Sequence, residues 1–316
     1  MLSGRHLRGF TILELLVVIG VIGVLLAIIL PAIQSVREAS RRTQCTNNLR
    51  QVALGLLSYH DVHRIFPSAA YCGVPGSSSI QHCHTWAESL LPFIGEEAKY
   101  KAIDFNVANH WGVNPSVLND YQPSVLICPS DSDGGLLPNA REPNYTPGQG
   151  NSLGASYVPC SGPLHMNLCP IPAKTPNYNC LGWNGARLFD EAPGMFSGGW
   201  RGYRLSECRD GTSRTFLIGE TLPIYSTFHM YFASHLHTGS NNPPPNYHKV
   251  YTSCPPSRDR RIGTCYAHMS GFMSAHGDLV GMALADGSIK YIRESIDYET
   301  WCNLGNKADG ALLKGF

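Results

Sequence analysis

The stretch SAHGDLVGMALADGSIKYI sets one imidazole and two carboxylates, His276, Asp278 and Asp286, within eleven residues. Such a group can ligate a metal or relay a proton. The plainer reading is that His276 caps or crosses a hairpin and Asp286 builds its turn. Glu220 follows a glycine in CRDGTSRTFLIGE and is a candidate ligand or hydrogen-bond anchor at a strand end, the plainer reading being a polar residue that structures the core edge. CPSDSDGG places Asp131 and Asp133 two apart before Gly134. Oxygen donors on a glycine-containing loop suit calcium, but the twelve-residue EF-hand pattern is absent, and a simple turn is the plainer reading. QHCHTW offers His82, Cys83 and His84. On a strand the two histidines would share a face that zinc can use, with Cys72 as a candidate partner; a surface loop with Cys83 in a disulfide is the plainer reading. The chain carries no G-x-S-x-G, Walker A, H-E-x-x-H or G-x-G-x-x-G signature, so its motifs suggest no enzyme.

A different kind of chemistry sits near the N-terminus. RGFTILELLVVIGVIGVLLAIILPAI, Arg8 to Ile33, holds the carboxylate of Glu14 inside an otherwise apolar run. An ionised carboxylate at mid-bilayer costs roughly 2.5–3.5 kcal/mol on insertion scales, so its presence calls for a partner.

These groups need elements to place them. The 24 residues from Phe10 to Ile33 span about 36 Å as a helix, enough to cross a hydrocarbon core. The uncharged stretch is too long for a secretory h-region and lacks an A-x-A-like exit. Arg5, His6 and Arg8 precede it without an acid and favour an N-in, C-out orientation, although Arg37, Arg41 and Arg42 follow it. Beyond it, Ile33, Val36, Leu49, Val52, Ala53, Leu56 and Tyr59 recur at helical steps. They predict an amphipathic stem helix ended by Phe66-Pro67, with the polar middle from Arg37 to Asn48 exposed. Leu279–Leu284 and Ile289–Ile292 flank Asp286-Gly287 as a hairpin, and Asp210-Gly211 leads into a strand over Thr215–Ile218. NNPPPNYHKVYTSCPPSRDRR reads as an exposed, irregular insertion.

Composition sets the outer bounds. The 316 residues carry a formal net charge of +1 and only 15% charged residues, so no polybasic surface points to nucleic acid. Gly 32 and Pro 22, 54 of 316 residues, exceed the usual ~12% and point to a loop-rich head of short strands. Eleven cysteines suit an exported, oxidised head. Cys72 and Cys83, Cys169 and Cys180, and Cys254 and Cys265 each enclose ten residues, which favours short-range bridges, and the odd count leaves at least one thiol free or open to intermolecular pairing.

GFTILELLVVIGVIGVLLAIILPAI resembles the prepilin-type cleavage and methylation segment of type IV pilins and type II secretion pseudopilins. The resemblance implies cleavage after Gly9 by a membrane prepilin peptidase, methylation of Phe10, and retention of the apolar helix. It implies that Glu14 pairs with the new Phe10 amine of a neighbouring subunit. Such a charge-assisted bond offsets much of the cost of burying the carboxylate. Pro31 falls where pilins commonly carry a helix-disrupting proline, and Gly20, Gly23 and Ala27 make a small-residue stripe suited to close helix packing. A second resemblance covers about 250 residues. RRTQCTNNLRQVALGLLSYHDVHRIFP, WAESLLPFIGEE, CPSD, DGTSRTFLIGE and HGDLVGMALADGSIKYI occur in this order. They are similar to a large family of prepilin-like membrane proteins classed as a domain of unknown function, whose C-terminal signature is His, nine residues, Asp-Gly. That family carries cysteines at the positions of Cys45 and Cys128, which implies a stem-to-head disulfide. Arg214 stands where the family frequently has Asn. Calcium in pseudopilin heads makes calcium the one cofactor the resemblance suggests.

The expectation is an α+β, pilin-like chain: leader 1–9, transmembrane helix 10–33, amphipathic stem 34–62, and a β-rich, disulfide-supported head over 63–316. It would sit in the inner, cytoplasmic membrane with one span and its head in the periplasm or at the cell surface. Expected partners are the membrane, the prepilin peptidase and other pilin-like subunits, with no nucleic acid. The role so implied is that of a structural or surface subunit. Alternatives are a monomeric tethered protein binding a sugar, peptide or metal, and an exported enzyme using His276 and Asp286.

Overall fold

In the computed structural model, α1 (Ile12–His63) runs through Pro31 without a break. The structure describes residues 12–71, 84–109, 111–131, 135–138, 151–163, 192–197, 201–225, 230–232, 238–241, 243–250, 271–311 and 313. The chain divides into two compact units, one ending at Thr43 and the other beginning at Gln44.

In the first unit the apolar side chains from Ile12 to Ile33 all face outward, between 45% and 80% exposed. Among the described residues this is the one helix long and apolar enough to cross a membrane. A surface so continuously apolar needs lipid or other helices to cover it.

In the second unit the spacing of the stem residues does what their period requires. Leu49, Val52, Ala53 and Leu56 lie on one stripe and are fully buried, each side chain contributing about 1.5–3 kcal/mol for the larger ones. Gly55 belongs to the same surface: a Cβ there would come within 2.9 Å of Leu90 Cδ1, so glycine lets the helix approach α2 (Trp86–Leu90). The expected exposure of the polar middle fails at its end. Cys45 and Asn48 are buried, because one is bridged to Cys128 and the other donates to two backbone carbonyls. Ile33 and Val36, by contrast, are exposed and belong to the first unit. The helix ends before Phe66-Pro67. Arg64 takes a left-handed φ of 64°, and its N–H closes on the His60 carbonyl at 2.7 Å.

Two short ladders and one larger sheet complete the strands. β1 (Ala70–Tyr71) pairs with β2 (His84–Thr85), and β3 (Leu136–Pro138) with β4 (Asn151–Leu153). The main sheet is antiparallel in the order β5 (Tyr157–Pro159), β6 (Phe216–Glu220), β7 (Leu279–Leu284), β8 (Ile289–Arg293). The architecture is α+β, with short strands joined by loops and single helical turns. Two short helices, α3 (Glu97–Ala102) and α4 (Asn114–Leu118), stand between β2 and β3. α5 (Tyr298–Leu304) follows the sheet, its N-terminus capped by Asp297, which accepts from the Thr300 N–H. It seats Trp301 in the core, with the Phe216 ring centroid 5.1 Å away and its indole N–H donating to the Pro243 carbonyl.

The β7–β8 hairpin forms as expected, with a different turn. Gly287 has φ +84° and Asp286 is not among the residues with positive φ. The Gly287 N–H bonds the Leu284 carbonyl and the Leu284 N–H bonds the Ser288 carbonyl. Only the glycine of the Asp-Gly pair is left-handed, and the aspartate reaches the turn without positive φ. The Pro-rich insertion is also less exposed than its composition suggests. Pro243, Pro245 and Asn246 are buried, because the Asn246 N–H bonds the Phe272 carbonyl and Pro243 receives Trp301; residues 251–261 lie outside the described residues.

Candidate functional site

Four chemically capable side chains meet where α1, the loop after the 3-10 turn Ser124–Leu126, the end of β6 and the loop before β7 come together. The ligand-type atoms of Cys45, Cys128, Glu220 and His276 all lie within 4.8 Å of one another, and all four residues are buried. Cys45 and Cys128 form a disulfide across 83 positions of sequence. His276 Nε2 is 3.7 Å from Cys128 Sγ and 3.6 Å from Glu220 Oε1.

Each arm is held from behind. Asn48, one helical turn after Cys45, donates to the Ser124 carbonyl at 3.1 Å and the Ile127 carbonyl at 2.7 Å. Tyr157 on β5 donates its hydroxyl to the Cys45 carbonyl at 3.1 Å, and Tyr231 donates to the Leu126 carbonyl at 2.8 Å. The Tyr157 N–H in turn bonds the Tyr231 hydroxyl at 3.0 Å. The two cysteine-bearing segments are therefore fixed by three polar side chains as well as by the bridge.

Glu220 sits at the end of β6 beyond a register shift between Phe216 and Ile218. A bulge moves later side chains to the opposite face of the strand, so it decides where the carboxylate points. Glu220 Oε2 accepts the Gly281 N–H at 2.9 Å. A Cβ on Gly281 would lie 2.8 Å from the carboxyl carbon and 3.0 Å from both oxygens, so this glycine makes the space the carboxylate fills. Glu220 Oε1 has no hydrogen-bond donor among the described residues, although the side chain is 2% exposed. Burial, then the nearby Glu220 charge, pushes the Tyr157 hydroxyl well above its ordinary pKa, which keeps it a donor. The His276 ring meets Tyr291 edge-on at 6.3 Å, and Tyr291 shares a 2.6 Å hydrogen bond with Thr46 of α1.

Asp278 and Asp286 do not join His276. Asp278 is exposed and takes a 3.3 Å hydrogen bond from Arg293. Asp286 accepts from the Ser288 N–H and hydroxyl at the far end of the hairpin. The six residues of β7 separate the two by roughly 20 Å, which the sequence spacing conceals. Asp131 is half-buried, its N–H on the Cys128 carbonyl at 3.0 Å; Asp133 lies outside the described residues, as do Gly9 and Phe10. Glu14 stands exposed in the first turn of α1. Among the proposed short-range bridges, Cys72, Cys83, Cys169, Cys180, Cys254 and Cys265 all lie outside the described residues. Cys160, Cys208 and Cys302 are free and buried, and burial pushes the Cys160 and Cys302 thiols up to about 12, where they are inert.

One cluster went unnoticed in the sequence. His84 is buried on β2, with Nδ1 against the Glu88 carboxylate and Nε2 on the Val107 carbonyl at 2.8 Å. Asn109 donates to the other Glu88 oxygen at 3.2 Å. Both ring nitrogens being engaged, His84 is not a zinc ligand here; His82 lies outside the described residues. The i,i+4 spacing of His84 and Glu88 in HTWAE was the available signal. Desolvation lowers the His84 pKa, but the Glu88 hydrogen bond and charge, with the Val107 carbonyl and Asp104, outweigh it and raise the pKa overall.

The apolar outward-facing helix and the motif at its start define a membrane-anchored, pilin-like class. Residues 5–30 match the prokaryotic N-terminal methylation motif. Residues 34–299 match the family described as a protein of unknown function, DUF1559, and the chain belongs to that family. No curated protein and no solved structure matches it.

Proposed function

We propose that the protein is a subunit of a pilus- or pseudopilus-like assembly, cut by a prepilin peptidase between Gly9 and Phe10 and methylated on Phe10. The supporting observation is the methylation motif at 5–30 overlapping a helix whose apolar side chains from Ile12 to Ile33 all face outward, with Glu14 in its first turn. A carboxylate at that depth is costly alone and tolerable beside an ammonium. A neighbouring copy supplies that ammonium only after the leader has been removed. Processing thus creates the cation, and Glu14 sets the register in which the next helix docks. The head carries the surface that the assembly displays.

Mass spectrometry of the protein from its native membranes tests the first half: the mature chain begins at N-methyl-Phe10. Glu14→Ala tests the second. The variant is cleaved normally but gives no ordered multimers on crosslinking in native membranes. An intact leader, or multimers equal to the parent, refutes the reading.

A further inference from the structure

The Cys45, Cys128, Glu220, His276 group lies apart from the Ile12–Ile33 segment, and its composition suits a second state. We propose that it is a convertible centre: a disulfide when oxidised, and, once reduced by a dithiol, a tetrahedral zinc site of two thiolates, one imidazole and one carboxylate.

The geometry carries this. Zinc bonds of about 2.0–2.3 Å to N, O and S put tetrahedral ligands about 3.3–3.8 Å apart. His276 Nε2 already stands 3.6 Å from Glu220 Oε1 and 3.7 Å from Cys128 Sγ. The fourth group, Cys45, lies within the same 4.8 Å set. Glu220 uses one oxygen on the Gly281 N–H and leaves Oε1, buried and without a hydrogen-bond donor among the described residues, directed into the group. A carboxylate held through one oxygen with the other unsatisfied is how outer hydrogen bonds orient a metal ligand. Gly281 leaves no side chain to compete for that space. Asn48, Tyr157 and Tyr231 hold the two cysteine segments independently of the S–S bond, so the thiols stay near each other after it opens.

The step balances. A dithiol reductant attacks one sulfur of Cys45–Cys128, and its second thiol resolves the mixed disulfide. Two electrons and two protons pass to the cysteines, and the reductant leaves as its own disulfide. Zn2+ then displaces the two thiol protons and binds two thiolates, the imidazole and Glu220 Oε1. Two thiolates and an imidazole favour zinc over the hard cations calcium and magnesium. The bridge and the metal are alternatives, since the bonded sulfurs offer no thiolate.

Cobalt is the probe that separates outcomes. The full chain in detergent, stripped with EDTA and reduced with a phosphine, should take up one Co2+ per chain with thiolate-to-cobalt charge transfer and tetrahedral d–d bands, displaced by Zn2+. The unreduced chain should show neither signal. Cys45→Ser/Cys128→Ser should lose them while any binding by the other cysteines persists, and Glu220→Gln and His276→Gln should weaken the site at least tenfold. Spectra that are the same in the parent and the double serine variant overturn the proposal. Should reduction alone loosen the head, zinc added during reduction restores protease resistance in the parent and not in His276→Gln; its failure to do so in the parent overturns the proposal too.

Discussion

Replacing both Cys45 and Cys128 with alanine removes a crosslink that closes 83 positions of chain. On the chain-entropy estimate, a loop of that size loses about 15 cal/mol/K in the unfolded state, or about 4.5 kcal/mol at 25 °C. Both sulfurs are buried, so the alanines also leave a small cavity, while Asn48, Tyr157 and Tyr231 still hold the two segments together. The net expectation is a loss of about 4–5 kcal/mol. For a domain of this size that corresponds to a fall of roughly 9–18 °C in Tm. Urea titration of the full chain in detergent, followed by tryptophan fluorescence, reads it, because Trp86 and Trp301 are buried in the head and redden on exposure. The slope should rise as the uncrosslinked unfolded chain expands. A loss below about 1 kcal/mol would refute the argument, since it would mean the bridge does not restrain the unfolded chain.

Two further outcomes follow from other parts of the head. The raised His84 pKa gives stability that is complete below the unfolded value near 6.5 and is lost as pH rises through the folded pKa. His248 works the other way: burial, with Lys249 beside it and Glu294 opposing, lowers it to about 4, so its contribution is present above about 6.5 and is lost as pH falls toward 4. Their sum has a maximum near neutrality; in urea titrations from pH 4 to 9, His84→Gln should flatten the alkaline limb and His248→Gln the acid limb, and unchanged limbs would count against both assignments. Gly281→Ala should cost about 1–3 kcal/mol, because the added methyl overlaps the Glu220 carboxylate in a closed site; thermal unfolding of the variant checks this, and a neutral result would show that Glu220 can swing aside.

Much of this was open to inspection in the chain itself, for local reasons. The stripe Leu49, Val52, Ala53, Leu56 announces a packed helix face because its steps match the helical period. The β7–β8 hairpin announces itself because strand residues flank a glycine that takes positive φ. The site is different in kind. His276 and Cys128 are 148 positions apart, and they meet only because the loop before β7 packs against a segment that the bridge to Cys45 and the side chains of Asn48 and Tyr231 hold in place. Proximity in sequence misled where it joined His276 to Asp286, since an extended strand carries residues away from each other. The bulge that directs Glu220, and the burial of Cys45 and Asn48, depend on partners from distant segments and leave no local mark.

The position of the bridge has a mechanical meaning. Tension drawn through the anchor enters the second unit at Gln44 and one residue later meets a covalent shortcut to Cys128. While that link holds, the 83 positions it spans, about 280 Å of extended chain, stay out of the load path. The helical turns after Cys45 therefore cannot be peeled from the head by pulling on the membrane end, and slack of that length is released only when the sulfurs part.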